Sequence, residues 1–225
     1  MRCTIETGNI FFLYTARPSA ARGPADVHEL AVILSPDRDP PSRLLVVHGK
    51  QLPAPANGTP GPPVQATVIA VRQPTEELVS LLEGRVIHHG RRVVPRPARP
   101  CGEGRYLLTL HDGHTDLTYA LELPATPGPV QHDLGLAAQA TYRITIQPPP
   151  AAGLGAQPAA GFRPLTDTHW LNREGGEVRL EPVAEPDAPT VARQPEGPAT
   201  AEIFGELKLS RPAHPVEALY QGVWV

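Results

Sequence analysis

Apolar residues in this chain fall in short runs cut by proline and glycine, a pattern that predicts strands rather than long helices. NIFFLYTA (Asn9–Ala16) is an apolar and aromatic run that suits a buried strand. HELAVILSP (His28–Pro36) follows, then the charged turn DRDPP (Asp37–Pro41), then RLLVVHG (Arg43–Gly49). The unbroken Leu44–Val47 stretch calls for cover on both faces. LPAPANGTPGPP (Leu52–Pro63) reads as a loop, because proline lacks the N–H a ladder needs, and VQATVIAVR (Val64–Arg72) resumes strand character. In PTEELVSLLEG (Pro74–Gly84) the period changes: Leu78, Leu81 and Leu82 stand at helical spacing, with acids in the first turn and glycine at the end.

A second series starts at Gly104. RYLLTLHDGHTDLTYALELP (Arg105–Pro124) reads as a pair of strands, PVQHDLGL (Pro129–Leu136) as a short helix, and ATYRITIQ (Ala140–Gln147) as a strand of period two. GEVRLEPV (Gly176–Val183) and a helix near ATAEIFGELKL (Ala199–Leu209) complete it. The expected fold is α+β, predominantly antiparallel β. It comprises two similar β-rich lobes, residues 1–87 and 104–225, each ending in a helix and joined by an Arg/Pro-rich connector over 88–103. The shared order of elements marks the halves as a candidate duplication.

Facing residues of a hairpin have a constant index sum, so apolar pattern tests its register. A two-residue turn at Asp112-Gly113 pairs Leu110 with Thr115, Leu108 with Leu117 and Tyr106 with Tyr119, and sets His111 against His114 beside Asp116. A four-residue loop, Asp112–Thr115, pairs Leu110 with Leu117 and His111 with Asp116. Both registers keep the faces separate. In the first, His111, His114 and Asp116 form a partial ligand set for a divalent metal; in the second, His111 neutralises Asp116. Asp-Gly is also a favoured turn dipeptide for backbone reasons alone.

Composition adds limits. The chain has 29 prolines and 20 glycines in 225 residues, so ordered segments alternate with stiff loops. A net charge of −3 provides no chain-wide field to recruit nucleic acid or acidic membrane. No apolar run approaches the roughly 20 residues of a membrane span, and a soluble cytoplasmic protein is expected. Cys3 and Cys101 are too few for a disulfide framework and lack CxxC spacing, in keeping with a reducing compartment.

Local charge is uneven. Gly84–Arg105 holds Arg85, Arg91, Arg92, Arg96 and Arg99 as an anion-binding candidate for phosphate or RNA, although its prolines and scarce aromatics favour a solvated linker. Cys101 lies among these arginines, where a depressed thiol pKa is one expectation. GLGAQPAAG (Gly153–Gly161) lacks the strand–turn–helix setting of a dinucleotide loop.

GNIFFLY (Gly8–Tyr14), TYALELP (Thr118–Pro124) and HPVEALYQGVW (His214–Trp224) resemble landmarks of an uncharacterised bacterial protein family. The resemblance implies bacterial origin and supplies no activity, cofactor or site. The functional expectation is a non-enzymatic protein that binds a protein partner or self-associates, without cofactor, nucleic acid or membrane. The alternative is a metal-dependent enzyme at His111, His114 and Asp116.

Overall fold

The computed structural model describes residues 2–16, 21–38, 41–53, 61–83, 97–149, 161–183 and 202–225, and the backbone of 88–89 and 92–93. Its strands are β1 (Cys3–Ala16), β2 (Val27–Pro36), β3 (Ser42–Val47), β4 (Val64–Arg72), β5 (His88–His89), β6 (Arg92–Val93), β7 (Arg99–His111), β8 (His114–Leu123), β9 (Gln139–Gln147), β10 (Arg163–Pro164) and β11 (Glu177–Pro182). Its helices are α1 (Glu77–Glu83), α2 (Pro129–Asp133), α3 (Glu202–Glu206) and α4 (Glu217–Gln221).

Eight strands close into an antiparallel barrel in the order β9-β11-β4-β3-β2-β1-β7-β8, and β8 returns to β9 through Thr115–Ala120 against Gln139–Ile144. This corrects the expected α+β arrangement of lobes ending in helices: the fold is mostly β, its helices are short, and strands from both halves share one barrel. Side-chain alternation reports which face of a strand is buried and is silent about its partner. The long-range pairs β1–β7, β4–β11 and β8–β9 therefore left no local mark in the sequence.

Alternation then separates two cores. Ile10, Phe12, Tyr14, Leu45, Val47, Leu108, Leu117, Tyr119, Tyr142 and Ile144 fill the barrel. Phe11, Leu13, Ala31, Ile33 and Leu44 point outward and pack with Leu78 and Leu82 of α1, Ile203 of α3 and Leu219 of α4. That second cluster explains the unbroken apolar runs of β1 to β3. Each large apolar side chain so buried contributes about 1.5–3 kcal/mol. On the opposite wall Gln65, Thr67, Arg143, Thr145, Glu177 and Arg179 are half-buried and polar. The interior void between Phe12, Leu45, Tyr119 and Tyr142 is about 20 Å³, room for one water at most.

The barrel ends are closed differently. At one, Trp224 meets Tyr14 edge-on at 5.4 Å and donates its indole N–H to Asp133 at 3.1 Å, while buried Gln131 bonds the carbonyls of Cys101 and Ala218. The other end, called the rim below, carries a 3-10 turn at Thr168–Asn172 and the chemistry described next.

Candidate binding site

Glu6 and Arg43 occupy inward positions of β1 and β3, in phase with Ile10 and Phe12 and with Leu45 and Val47. Arg43 is wholly buried, and its terminal nitrogens donate to the two oxygens of Glu6 at 2.5 and 2.9 Å. Its Nε donates to Asn172 Oδ1 at 2.6 Å, and Tyr106 donates its hydroxyl to Glu6 at 2.7 Å. The forked geometry and the added donors offset the desolvation of the pair. Burial and the neighbouring Glu6 charge push the Tyr106 phenol well above its ordinary value.

Two pockets lie at this end of the barrel. One, of about 410 Å³, is lined by Thr4, Ile5, Glu6, Thr7, Arg38 and Thr168. The second, of about 390 Å³, is lined by Ser35, Ser42, Thr75, Glu76, Glu206 and Lys208 among others. Pro36 and Arg38 line both, so the pockets adjoin at the end of β2: the first lies beside inward-facing Glu6, the second on the outer face, where Ser35 and Ser42 continue the phase of Ile33 and Leu44, and the pair is called the groove below.

The second compartment is held by a hydroxyl trio. Ser42 Oγ lies 2.7 Å from Thr75 Oγ1 and donates to Ser35 Oγ at 3.3 Å. Its acids are partly committed: Asp37 accepts from Arg105 at 2.5 Å and from Thr7 at 2.7 Å, and these bonds hold its carboxyl below the ordinary value. Arg105 also donates to Asn9 at 2.5 Å, and Asn9 donates to Glu202 at 2.6 Å and to Glu206. The Arg38 charge adds to the lowering of the Asp37 carboxyl, and Lys208 lines the same compartment. Glu103, buried on the outer wall, accepts the amides of Glu202 and Ile203 at 2.7 and 3.1 Å and so pins α3 beside the groove. Burial, then the charges of Glu202 and Glu122, raise its carboxyl to about 7 against the pull of those two amides.

The residues singled out from sequence lie elsewhere. The hairpin adopts the two-residue turn: His111 faces His114, and Asp112 and Gly113 have φ of 46° and 80°. The imidazoles stand nearly perpendicular with centroids 5.6 Å apart, yet His111 Nε2 is 2.6 Å from Asp116 Oδ2, the contact that the other register had implied. Asp116 Oδ1 lies 3.6 Å from Arg143 Nε. Among the described residues no group of three His, Cys, Asp or Glu side chains is arranged to hold a metal ion.

Arg99 is buried at the closed end over the Tyr14 ring, 5.8 Å from its centroid, with Nε and Nη1 unpaired among the described residues. Arg85, Arg91 and Arg96 lie outside the described residues, as do Gly153–Ala160, and Arg92 is described only as backbone in β6. Cys101 is fully buried, and burial pushes its thiol far up, the reverse of the depressed value its arginine neighbours implied. Both cysteines are free.

The groove residues were missed because serine, threonine and charge near a turn look like ordinary solvated loop. One signal was present: Glu6 and Arg43 break the apolar phase at inward-facing positions, where a charge requires a partner. No family model matches this chain, and neither a curated protein nor a solved structure does.

Proposed function

We propose that the chain is a non-enzymatic binding protein that holds a polar ligand or partner segment in the rim groove. The carrying observation is the contrast in space: two polar pockets of about 410 and 390 Å³ adjoin at Pro36 and Arg38, whereas the void among Phe12, Leu45, Tyr119 and Tyr142 inside the barrel has about 20 Å³. Cavities of about 300–1,000 Å³ suit small ligands, and a filled barrel has no room for one. The described lining includes no histidine or cysteine, and the three hydroxyls bond one another, an arrangement for recognition rather than for activating a nucleophile.

Cytoplasmic placement accompanies this reading. The outward face of β4, β9 and β11 carries Gln65, Thr67, Arg143, Glu177 and Arg179, unlike the apolar belt of an outer-membrane barrel. No helix among the described residues is long and apolar enough to cross a membrane.

The test is a binding panel of neutral sugars, sugar phosphates and short acidic and basic peptides, read by thermal shift and equilibrium dialysis. Wild type is set beside the groove-obstructing variants Thr7→Trp and Glu76→Trp. Binding that either obstruction abolishes supports the groove. Binding that both leave unchanged, or none across the panel, contradicts it.

A further inference from the structure

We infer that the first compartment of the groove takes an extended peptide segment, which adds as a strand to the open edge of β1; this rests on the groove being a binding site. The edge follows from register. β7 pairs with β1 along Cys3–Tyr14, whereas β2 pairs with it from Gly8 onward and leaves after one further bond, from the Asp37 amide to the Thr7 carbonyl at 2.9 Å. Among the described residues, Cys3–Glu6 therefore have a strand neighbour on the β7 side alone. Such an edge within a closed barrel leaves main-chain donors and acceptors without a ladder, a ready template for another strand.

The pocket faces that edge. Glu6 points inward to Arg43 and Thr7 outward to Asp37, yet both line the same space of about 410 Å³, together with Thr4 and Ile5. Side chains of a strand alternate between faces, so a pocket that meets consecutive residues views the strand from the side. The β7 side is filled, and Pro36 and Arg38 at the end of β2 complete the lining, which puts the space in the lane that β2 vacates. A segment entering there antiparallel to β1 continues the line of β2.

The lining also says what the segment carries. Arg43 neutralises Glu6, and Thr4, Thr7, Thr168, Ile5 and Pro36 make most of the remaining wall. These suit the threonine and valine side chains that strands favour, and cross-strand pairs of that kind add to the ladder. Proline is excluded, because it lacks the N–H that the edge needs. Recognition thus lies mainly in the main chain, with side chains setting preference. A bulge between Thr4 and Glu6 interrupts the regular edge, so the added ladder is short and its affinity modest.

Isothermal titration with a capped pentapeptide of alternating valine and threonine tests this, set beside the same peptide N-methylated throughout, which keeps the side chains and removes every N–H. The change is made in the peptide, so the folding of the protein is untouched. N-methylation is expected to weaken binding at least about tenfold. Thr7→Trp is expected to abolish binding of the parent peptide, and Glu76→Trp, in the second compartment, to leave it within about twofold. Amide hydrogen exchange within Cys3–Thr7 should slow at least about tenfold on saturation, with the Asp112-Gly113 turn unaffected. Equal affinity for the two peptides, no binding at about 1 mM, or unchanged exchange within Cys3–Thr7 overturns the inference. So does a dimer in which those amides are protected before peptide is added, since a second copy then holds the edge. If sugars bind and Thr7→Trp or Glu76→Trp abolishes that binding while the pentapeptide does not bind, the occupant is wrong and the groove stands. If no probe responds to obstruction, both fall.

Discussion

Arg43 grips Glu6 through both terminal nitrogens, at 2.5 and 2.9 Å, in a position with no solvent exposure. This pair closes the barrel beneath the groove, and its two members stand 37 residues apart in sequence. Removing one charge strands the other in the interior. Arg43→Met is therefore expected to cost about 3–5 kcal/mol in urea unfolding, and pairing it with Glu6→Leu to restore much of that loss. A single variant within about 1 kcal/mol of wild type would show that the pair is solvated in practice.

Glu103 gives stability a pH dependence whose sign is set by burial. Its carboxyl is raised from 4.5 to about 7 on folding, so the folded chain holds the proton more firmly. The resulting stabilisation is full below about pH 4.5 and is lost as the pH rises to 7. A shift of this size corresponds to about 3 kcal/mol at most. Unfolding measured at pH 5 and pH 8 should show wild type losing more stability than Glu103→Gln over that interval; parallel losses would refute the assignment.

The two thiols should differ sharply. Cys3 is exposed and Cys101 is buried with its Sγ donating to the Phe12 carbonyl at 3.4 Å. A thiol reagent such as iodoacetamide is expected to label Cys3 alone in the folded protein, and nothing in Cys3→Ser until denaturant is added. Rapid labelling of native Cys3→Ser would mean that β7 opens readily at Cys101.

At the hairpin, Gly113 has φ of 80° with open space around the position of a Cβ. Only backbone conformation opposes a side chain there, so Gly113→Ala should cost about 1 kcal/mol and leave the fold intact. Gly104→Ala is a different case, since its Cβ would lie 2.0 Å from the Ala120 carbonyl oxygen across β7 and β8. Strand separation there should cost more than the Gly113 change, by at least about 1 kcal/mol in thermal or urea unfolding. Equal costs would place the close β7–β8 approach in error.

Local pattern carried much of the secondary structure. Val64–Arg72 forms β4 over the whole expected span, the Leu44–Val47 run is covered on both sides, and Pro74–Gly84 contains α1. Of the helix expected near Ala199–Leu209, Glu202–Glu206 forms α3 and residues 199–201 lie outside the described residues, while α4 went unrecognised because five residues are too few for a periodic signal. Closure was illegible for a related reason: nothing in Thr115–Ala120 names Gln139–Ile144 as its neighbour. The groove was illegible because its lining comes from separate stretches: Ser35 and Ser42 flank the β2–β3 connection, Thr75 follows β4, and Glu206 and Lys208 arrive from α3 and the segment after it. Conversely, His111, His114 and Asp116 were conspicuous as residue types, and the structure joins two of them, His111 and Asp116, by a hydrogen bond.

The most direct measurement is amide chemical-shift mapping by NMR while the sugars and peptides of the binding panel are titrated into the protein. Shifts are expected to fall within Thr4–Thr7, Ser35–Arg38, Ser42, Gln73–Glu76 and Gly205–Lys208, with the inward-facing Leu45, Tyr119 and Tyr142 unmoved. Shifts centred on those interior residues, or on the His111–Asp116 hairpin with the groove silent, would contradict a filled barrel that binds at its rim.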